Sequence, residues 1–225
     1  TVRLFTMFAA PPDQSLEWND DAIAGASRFL RRMWSFVKKH QAVLSETGLR
    51  AGRDFEDANK ATKALRLIIH TITERVVRDF ERQQFNTVVA AAMELTNAAE
   101  KADWSAMGEH ADTVLSELCY TLIKILAPIT PHLSEHLWKQ FGQAGISLDD
   151  AWLSVDQNAL VKDEITYVVQ VNGKLRARVE VAATLGQDEI EKLALEDDNV
   201  QRFLQDVTVR KVIVVANKLV NIVAN

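Results

Sequence analysis

Apolar side chains recur every three or four positions from about residue 20 to residue 142, which is the spacing of amphipathic α-helices. In the first long segment they share one face at about 100° per residue: Ile23, Leu30, Met33, Trp34 and Val37. Four further segments repeat the pattern at 61–76, 86–95, 115–126 and 130–142. Long amphipathic helices with short connections predict an antiparallel helical bundle.

Prolines, glycines and short polar residues mark several ends of these helices. Asn86 is a candidate N-cap of the third helix, because Asn side chains accept hydrogen bonds from free backbone N–H groups. The fourth helix has to end before Pro128, since proline cannot continue a helix. The fifth is predicted to begin with Thr130 as cap and Pro131 in the first helical position, and to end at Gly142.

The apolar period changes from 3.6 to 2 after about residue 164. Ile165–Val171 and Lys174–Val181 are β-rich runs joined by Asn172-Gly173, a strong signal for a hairpin with a type I′ turn. A helical pattern follows over Gln187–Leu204, with a break near Asp198. Two more strands are predicted over the last apolar runs, which are Thr208–Val215 and Leu219–Val223, joined at Ala216-Asn217. These elements form a small α+β domain.

The fold class is therefore α+β multidomain, with an antiparallel helical bundle over 21–142 and a small α+β C-terminal domain over 165–225. The segment 143–164 has no sustained period and is interpreted as a linker that carries Trp152. The chain starts at Thr1 without an initiator Met or a signal peptide, which predicts that it is a piece of a longer protein.

Composition narrows the classes of function. The 225 residues include one Cys, so an internal disulfide is excluded. No apolar run approaches the ~20 residues of a membrane span, which predicts a chain without membrane contact. There are 26 Lys and Arg against 31 Asp and Glu, a net charge of −5. Any nucleic-acid contact therefore requires a local basic patch.

One motif resembles a catalytic site, but its context argues against it. His132, Glu135 and His136 match the H-x-x-E-H pattern of some zinc peptidases, and two His four residues apart on a helix share one side. Because no acidic motif downstream supplies a third ligand, we interpret the pattern as a polar helix face with no metal. Cys119 lies between Leu118 and Leu122 on an apolar stripe and is interpreted as a core residue. No catalytic residue is predicted.

A first candidate binding surface lies on the first long helix. Five cations fall within an arc of about 120° opposite Met33 and Val37: Arg28, Arg31, Arg32, Lys38 and Lys39. A row of charges is most often a solvated helix face. Acidic residues are absent from Ala22 to Gln41, however, so nothing on the same helix neutralises this row. We therefore predict that it contacts phosphates.

The hairpin offers a second candidate surface. A two-residue turn pairs Val171 with Lys174, Val169 with Arg176 and Tyr167 with Arg178, which places three cations on one face beside Tyr167 and Ile165. The opposite face, predicted to form the core, holds Val168, Leu175, Ala177, Val179 and Val181. An aromatic ring beside Lys174, Arg176 and Arg178 suits nucleic acid, since bases stack on rings and cations hold phosphates. The alternative is an ordinary solvated face.

Several stretches resemble class I aminoacyl-tRNA synthetases. Thr1–Phe5, Ala9–Pro12 and Ser15–Trp18 resemble the region just after the KMSKS loop, and Phe29–Trp34 resembles the first anticodon-domain helix of the leucine, isoleucine and valine subgroup. Pro128–Trp138 is similar to the P-x-x-P-H-x-x-E-x-L-W signature of that subgroup. Three stretches are similar to bacterial leucyl-tRNA synthetases: Phe85–Leu95, Val169–Arg176 and Val209–Val215. One departure is Ala216-Asn217, where that family usually has Pro-Gly.

The resemblance implies a C-terminal portion of an enzyme that ligates leucine to its tRNA with ATP and Mg, edits mischarged tRNA and serves protein biosynthesis in the cytoplasm. It implies that residues 1–20 end the catalytic core, 21–142 form the anticodon-binding domain and 165–225 contact the tRNA elbow. The HIGH, KMSKS and editing motifs are missing, so no cofactor is expected in this portion. The expected partners are leucine-specific tRNA and the rest of the parent enzyme, which is expected to be a monomer. Besides the two candidate surfaces, Arg210, Lys211 or Lys218 are expected to contact the tRNA.

Three alternatives stay open at this point. The chain could be the corresponding region of an isoleucine or valine enzyme, although the Val169–Arg176 hairpin favours leucine. It could be a metallohydrolase that uses His132 and His136. It could also be a helical protein-interaction module whose basic faces bind acidic proteins.

Overall fold

A computed structural model describes residues 1–51, 55, 57–162, 164–205 and 207–225 of the chain. The chain consists of two compact units, Thr1–Leu160 and Val161–Asn225. The first unit is helical and the second combines a sheet with two helices, so the predicted fold class is confirmed. None of the described helices is long and apolar enough to span a membrane.

The helical unit contains the five predicted helices together with shorter ones that the pattern did not predict. The predicted helices are α2 (Asp20–Lys39), α4 (Lys60–Glu81), α5 (Phe85–Lys101), α6 (Ala111–Leu126) and α7 (Pro131–Gln140). The additional elements are α1 (Val2–Ala9), α3 (Gln41–Thr47) and 3₁₀ turns at Trp104–His110 and Gln157–Leu160. Neighbouring helices α4, α5 and α6 pack against one another, and α1 packs against α2 and α5.

Most helix ends follow the sequence, with one correction. The Asn19 and Asn59 side chains cap α2 and α4 by accepting from the backbone N–H groups of Ala22 and Thr62 at 2.9 and 3.0 Å. Asn86 is not an N-cap: α5 already begins at Phe85 after Gln84. The helix starts earlier because the carbonyl of Gln84 accepts both its first backbone hydrogen bond and the Thr87 hydroxyl.

Helix α7 starts at Pro131 and stops before Gly142, as predicted, with Thr130 in the N-cap position. The Thr130 hydroxyl does not cap α7, however. It donates to the carbonyl of Leu126 at the end of α6, 3.3 Å away, and therefore links the two helices. Gly142 has a φ of +73°, a left-handed conformation that suits glycine just beyond a helix end.

Helix α6 lies at the centre of the helical core. Its apolar side chains are almost completely buried: Val114, Leu115, Leu118, Cys119, Leu122, Ile123, Ile125 and Leu126. Cys119 is therefore a core residue, as predicted, and burial raises the pKa of its thiol to about 12. The thiol stays protonated at neutral pH and is a poor nucleophile.

The segment predicted as a linker differs from the prediction. Residues 143–160 belong to the helical unit, where Leu153 and Ser147 are buried. The buried ammonium of Lys124 on α6 donates to the carbonyls of Ser147 and Asp150 at 2.7 and 2.9 Å. Hydrogen bonds from a distant side chain produce no hydrophobic periodicity in the segment that they hold. The sequence pattern therefore suggested a linker. Of the remaining residues 161–164, Asp163 lies outside the described residues.

The C-terminal unit has the predicted order of elements. They are β1 (Glu164–Val171), β2 (Lys174–Ala182), α8 (Gln187–Glu196), α9 (Asp198–Leu204), β3 (Val209–Val215) and β4 (Leu219–Ala224). The strands are arranged β2-β1-β4-β3, with β1 and β4 parallel and both outer pairs antiparallel. Asn172 and Gly173 have φ of +50° and +76°, which confirms the predicted type I′ turn.

One face of this sheet packs against α8 and α9. Its core joins Val169, Val220 and Ile222 of the strands to Ile190 of α8 and Val200 of α9. Successive residues of a strand alternate between faces, so the neighbours of these buried residues lie on the other face, which we call the open sheet face. Asn217 lies in the turn between β3 and β4 and has a φ of +57°, a left-handed conformation that Asn tolerates.

Candidate nucleic-acid interface

The first candidate surface is intact on α2. Phe29, Met33 and Val37 are buried in the helical core, and the opposite side of the helix exposes every predicted cation. We call this set the α2 basic face: Arg28, Arg31, Arg32, Lys38 and Lys39. Because α2 is a regular helix throughout, the arc drawn from the sequence is preserved in three dimensions.

Two of these cations already have protein partners. The Arg32 guanidinium forms an ion pair with Glu100 of α5 and donates to Asn97 Oδ1 at 2.7 Å. The hydrogen bond with Glu100 raises the pKa of Arg32. Lys38 donates to Gln41 Oε1 at 2.8 Å and lies 5.4 Å from the centre of the Trp34 ring. The positive charge at both positions is partly engaged within the protein.

The other three cations, Arg28, Arg31 and Lys39, have no hydrogen bond or ion pair to any residue that the structure describes. Their side chains are exposed and α2 has no acidic residue from position 22 onward. An exposed, uncompensated row of cations is able to bind a row of phosphates, since each contact releases condensed counterions.

The second candidate surface is rearranged by a β-bulge. Val171 pairs with Lys174, as predicted, but the register shifts between Val169 and Gln170. Val169 pairs with Ala177 instead of Arg176, and Tyr167 pairs with Val179 instead of Arg178. The bulge inserts Arg176 as an extra residue in β2, and a shift of one position exchanges the two faces of a strand.

Tyr167 is consequently not a platform for bases. Its ring is 3% exposed in the core, together with Val169, and its hydroxyl accepts from the backbone N–H of Asn217 at 2.9 Å. Ile165 packs against the same core. Ala177, Val179 and Val181 face the core as predicted, but Val168 and Leu175 do not: Leu175 is 53% exposed and Val168 lies on the open sheet face.

The bulge also separates the three hairpin cations. Arg178 pairs with Val168 and lies on the open sheet face. Arg176 lies on the side of the helices, with its guanidinium carbon 3.7 Å from the centre of the Phe203 ring on α9. Lys174 is exposed at the turn, opposite Val171. The predicted common face of Lys174, Arg176 and Arg178 is therefore wrong.

The open sheet face presents apolar side chains beside cations. Leu175, Ile213 and Val215 are 53%, 40% and 41% exposed there. Lys211, opposite Val223, adds a charge on the same face as Arg178. Arg210 and Lys218, the other cations predicted to contact nucleic acid, are exposed at the β3 bulge and in the β3–β4 turn. Sequence reasoning did not find this apolar surface because it placed Leu175 in the core.

The H-x-x-E-H motif has a structural role. Glu135 Oε2 accepts from the backbone N–H of Ser147 at 2.9 Å, which lowers the pKa of Glu135 and holds the 143–160 segment. His132 and His136 are both exposed, and the His136 ring lies 5.4 Å, centre to centre, from the Trp34 ring. Across the described ranges, no group of three or more His, Cys, Asp and Glu side chains is arranged to hold a metal.

Sequence reasoning missed a buried ionic network between α4, α6 and the 143–160 segment. The Arg66 guanidinium contacts Glu117 at 2.9 Å and Asp156 at 2.7 Å. His70 Nε2 lies 3.0 Å from Glu117, and His70 Nδ1 accepts from the backbone N–H of Asp156 at 3.1 Å. Burial alone would raise the pKa of Glu117, but hydrogen bonds from His70 and Arg66 lower it. The only sequence signal was two basic residues, four apart, inside an apolar helix.

Comparison with known proteins places the chain in a family. A family model described as the anticodon-binding domain of tRNA ligase matches residues 62–192, more than half of the chain. The chain belongs to this family. The part of the chain that matches the family model runs from α4 to α8 and includes α5, α6, α7 and the hairpin. It leaves out α2, whose basic face is described above.

Curated relatives match the whole chain. Leucine–tRNA ligases of Pseudomonas putida, Cellvibrio japonicus and Alcanivorax borkumensis are each 47% identical to it over 226 aligned residues. The chain spans about a quarter of their length: 25%, 26% and 27%. A crystal structure of a ternary complex of Agrobacterium radiobacter LeuRS, tRNA and LeuAMS matches the full chain with a TM-score of 0.84, at 24% identity and over 28% of that protein. This last match supports the fold.

Proposed function

We propose that the chain is the C-terminal, tRNA-binding part of a leucine–tRNA ligase and that it positions the tRNA without catalysing a reaction itself. The observation that carries this proposal is the 47% identity to leucine–tRNA ligases over the whole chain. Arg28, Arg31 and Lys39 of the α2 basic face, which are exposed and have no partner among the described residues, supply the matching chemistry. The leucine relatives and the anticodon-binding match favour this assignment over an isoleucine or valine enzyme or a metallohydrolase.

In this proposal the α2 basic face binds the tRNA backbone. Arg28, Arg31 and Lys39 contribute most because their charges have no partner among the described residues. Arg32 and Lys38 contribute less, since Glu100 and Gln41 compete for them. Phosphate contacts fix register and orientation, and an A-form helix is recognised mostly by its shape.

The C-terminal unit binds the tRNA elbow through its open sheet face. Leu175, Ile213 and Val215 are suited to the flat outer surface of a base pair, while Arg178 and Lys211 hold nearby phosphates. The remaining candidate cations, Lys174, Arg176, Arg210 and Lys218, lie at the turn, on the helix side or at the edges. They assist through long-range attraction rather than as members of one contact face.

The parent enzyme would join leucine to tRNA with ATP and Mg²⁺ in the cytoplasm and hydrolyse mischarged tRNA at an editing site. In this proposal ATP, Mg²⁺ and the editing reaction belong to the rest of the parent enzyme, since among the described residues Cys119 is a buried core thiol and Glu135 is engaged by the backbone of Ser147. Residues 1–20 would end that module, 21–142 would form the anticodon-binding domain and 165–225 the elbow-binding domain. We expect the parent to act as a monomer.

A binding experiment tests the proposal. The 225-residue chain is titrated with a leucine tRNA transcript at ~150 mM salt, and the complex is challenged with an unstructured polyanion of equal charge. Displacement by unlabelled leucine tRNA at far lower concentration than by the polyanion supports tRNA positioning. Equal displacement by both competitors indicates a general anion-binding module and contradicts the proposal.

A further inference from the structure

A groove of about 460 Å³ opens on the helical unit between the C-terminal half of α2 and the end of α5 with the segment that follows it. Its volume lies in the range of about 300–1,000 Å³ that is typical of small-molecule sites. Three rings form its wall: Phe36 and His40 at the end of α2, and Trp104 in the 3₁₀ turn. Arg31 and Lys39 of the α2 basic face lie at its rim.

The aromatic wall is preorganised. The centres of the Phe36 and His40 rings are 4.8 Å apart, and that of His40 is 5.8 Å from the centre of the Trp104 ring. The Trp104 indole N–H donates to the carbonyl of Ala99 at 3.2 Å, which fixes the orientation of its ring. Burial lowers the pKa of His40, and the charge of Lys39 lowers it further, so the imidazole is uncharged at neutral pH.

The charges around the groove favour an anionic ligand. Arg31 and Lys39 have no hydrogen bond or ion pair to any described residue. Glu100 also lines the groove, but its ion pair with Arg32 compensates its charge. The groove thus combines flat, uncharged rings with two uncompensated cations, which is the combination that binds a base by stacking and its phosphate by attraction.

We propose that this groove binds one unpaired nucleotide of an RNA, with its base against Trp104 and His40 and its phosphate on Arg31 and Lys39. This inference rests on the proposed tRNA binding by the α2 basic face, of which Arg31 and Lys39 are members. Because Arg31 and Lys39 belong to this face and also line the groove, a backbone bound along the face reaches the groove. A paired base cannot enter, so the nucleotide is one that lies outside a helix, in a loop, a bulge or an end.

The direct probe is the fluorine NMR spectrum of the full chain labelled with 5-fluorotryptophan. The chain has five tryptophans, which give five resonances. The Trp104 signal is assigned with the Trp104→Phe variant. Titration with a short oligouridine, which has no base pairs, and separately with leucine tRNA is expected to shift the Trp104 signal. The signal of Trp152, which packs against Phe80 outside the groove, serves as the internal reference and is expected to stay in place.

Affinity variants supply the second readout. Trp104→Ala is expected to weaken oligouridine binding about tenfold, and Trp104→Phe, which retains a ring, only about twofold. Arg31→Ala and Arg82→Ala are compared, since both cations are exposed, and only Arg31 lines the groove and belongs to the α2 basic face. Arg31→Ala should reduce the shift of the Trp104 signal at saturating oligouridine, whereas Arg82→Ala, at the end of α4, should leave it unchanged. The comparison of these two arginine variants stays informative even if Trp104→Ala does not fold.

The outcomes separate the groove from the proposed function. Binding of tRNA with a shifted Trp104 signal supports the inference. If tRNA binds and Arg28→Ala weakens it, but Trp104 neither shifts nor affects affinity, the groove assignment is overturned and tRNA binding by the α2 basic face stands. If neither RNA binds, both the proposed function and the groove assignment fail. A shift with inorganic polyphosphate equal to that with oligouridine also overturns the groove assignment, because polyphosphate has no base.

Discussion

The α2 basic face and the hairpin of the C-terminal unit were predicted by the same kind of reasoning and had different outcomes. On α2 every predicted cation is exposed on the side opposite Met33 and Val37. In the hairpin, one extra residue at Arg176 moves Tyr167 into the core and divides the cations between two faces. The exposed face of a regular helix can be assigned from sequence spacing alone. In a strand, by contrast, a shift of one residue moves every side chain to the opposite face of the sheet.

The most severe test of this contrast is Tyr167→Ala. Because the ring is buried in the core of the C-terminal unit, we expect the free energy of unfolding to fall by about 4 kcal/mol. A solvent-facing Tyr167, as the simple alternation predicts, would cost well under 1 kcal/mol. Urea denaturation followed by far-UV circular dichroism distinguishes the two results. Thr166→Ala, at the adjacent exposed position, is the control and should change stability little.

The helical unit has a comparable buried group in Glu117. Glu117→Gln should destabilise this unit by about 3 kcal/mol, because Arg66 loses its buried counter-charge. Glu94→Gln removes the carboxylate that pairs with Arg75 at the surface and is the matched control, with an expected cost below about 1 kcal/mol. Equal losses for the two variants would contradict the structural role assigned to the network.

The same carboxylate predicts a pH dependence. The folded state lowers the pKa of Glu117, so its contribution to stability is complete above the unfolded-state pKa of about 4.3 and is lost as the pH falls through the lower, folded-state pKa. Wild-type chain should therefore lose stability more steeply below about pH 4.3 than Glu117→Gln does. Parallel stability curves for the two proteins in acid would refute the lowered pKa.

A smaller effect is expected at the hairpin turn. Gly173 has a φ of +76°, and an Ala in this left-handed conformation costs about 1 kcal/mol. Gly173→Ala should reduce the unfolding free energy of the C-terminal unit by that amount, without a change in the helical unit. If the variant is as stable as the wild type, the type I′ turn that sets the hairpin register is not the one present in solution.

The smallest expected effect separates Arg178 from Arg176. Arg178→Ala should lower the slope of log affinity for leucine tRNA against log salt by about 0.9, as expected for the loss of one phosphate contact. Arg176→Ala should leave the slope nearly unchanged, since its guanidinium stacks on Phe203 away from the open sheet face. Equal changes for both variants would restore the single cationic face that simple alternation suggested.

The sequence predicted the elements better than the contacts between them. Periodicity located the five longer helices of the helical unit, the helical stretch of the C-terminal unit and the four strands, and Asn172-Gly173 identified the turn type. It did not locate the β-bulge, because the residue inserted at Arg176 is recognised only when the partner strand is in place. It did not find the anchors of the 143–160 segment, because Lys124 and Arg66 reach it from distant positions in the chain.

For the candidate site, the sequence indicated which side of α2 is exposed but not which cations are compensated. The partners of Arg32 are Asn97 and Glu100, more than 60 residues away, and no local pattern signals such a pair. The groove beside Trp104 was missed for the same reason, since its wall combines the end of α2 with a 3₁₀ turn that the pattern did not predict. Local periodicity determines faces, whereas long-range contacts determine which charges remain available.

The central claim, that the chain binds tRNA through the uncompensated cations of α2, is tested most directly by the salt dependence of leucine tRNA binding. The wild-type chain is compared with the variant Arg28→Ala, Arg31→Ala, Lys39→Ala, and with Lys192→Ala on α8 as a control outside this face. We predict that the triple variant lowers the slope of log affinity against log salt by about 2 to 3 and that the control leaves it unchanged. An unchanged slope in the triple variant would contradict the claim.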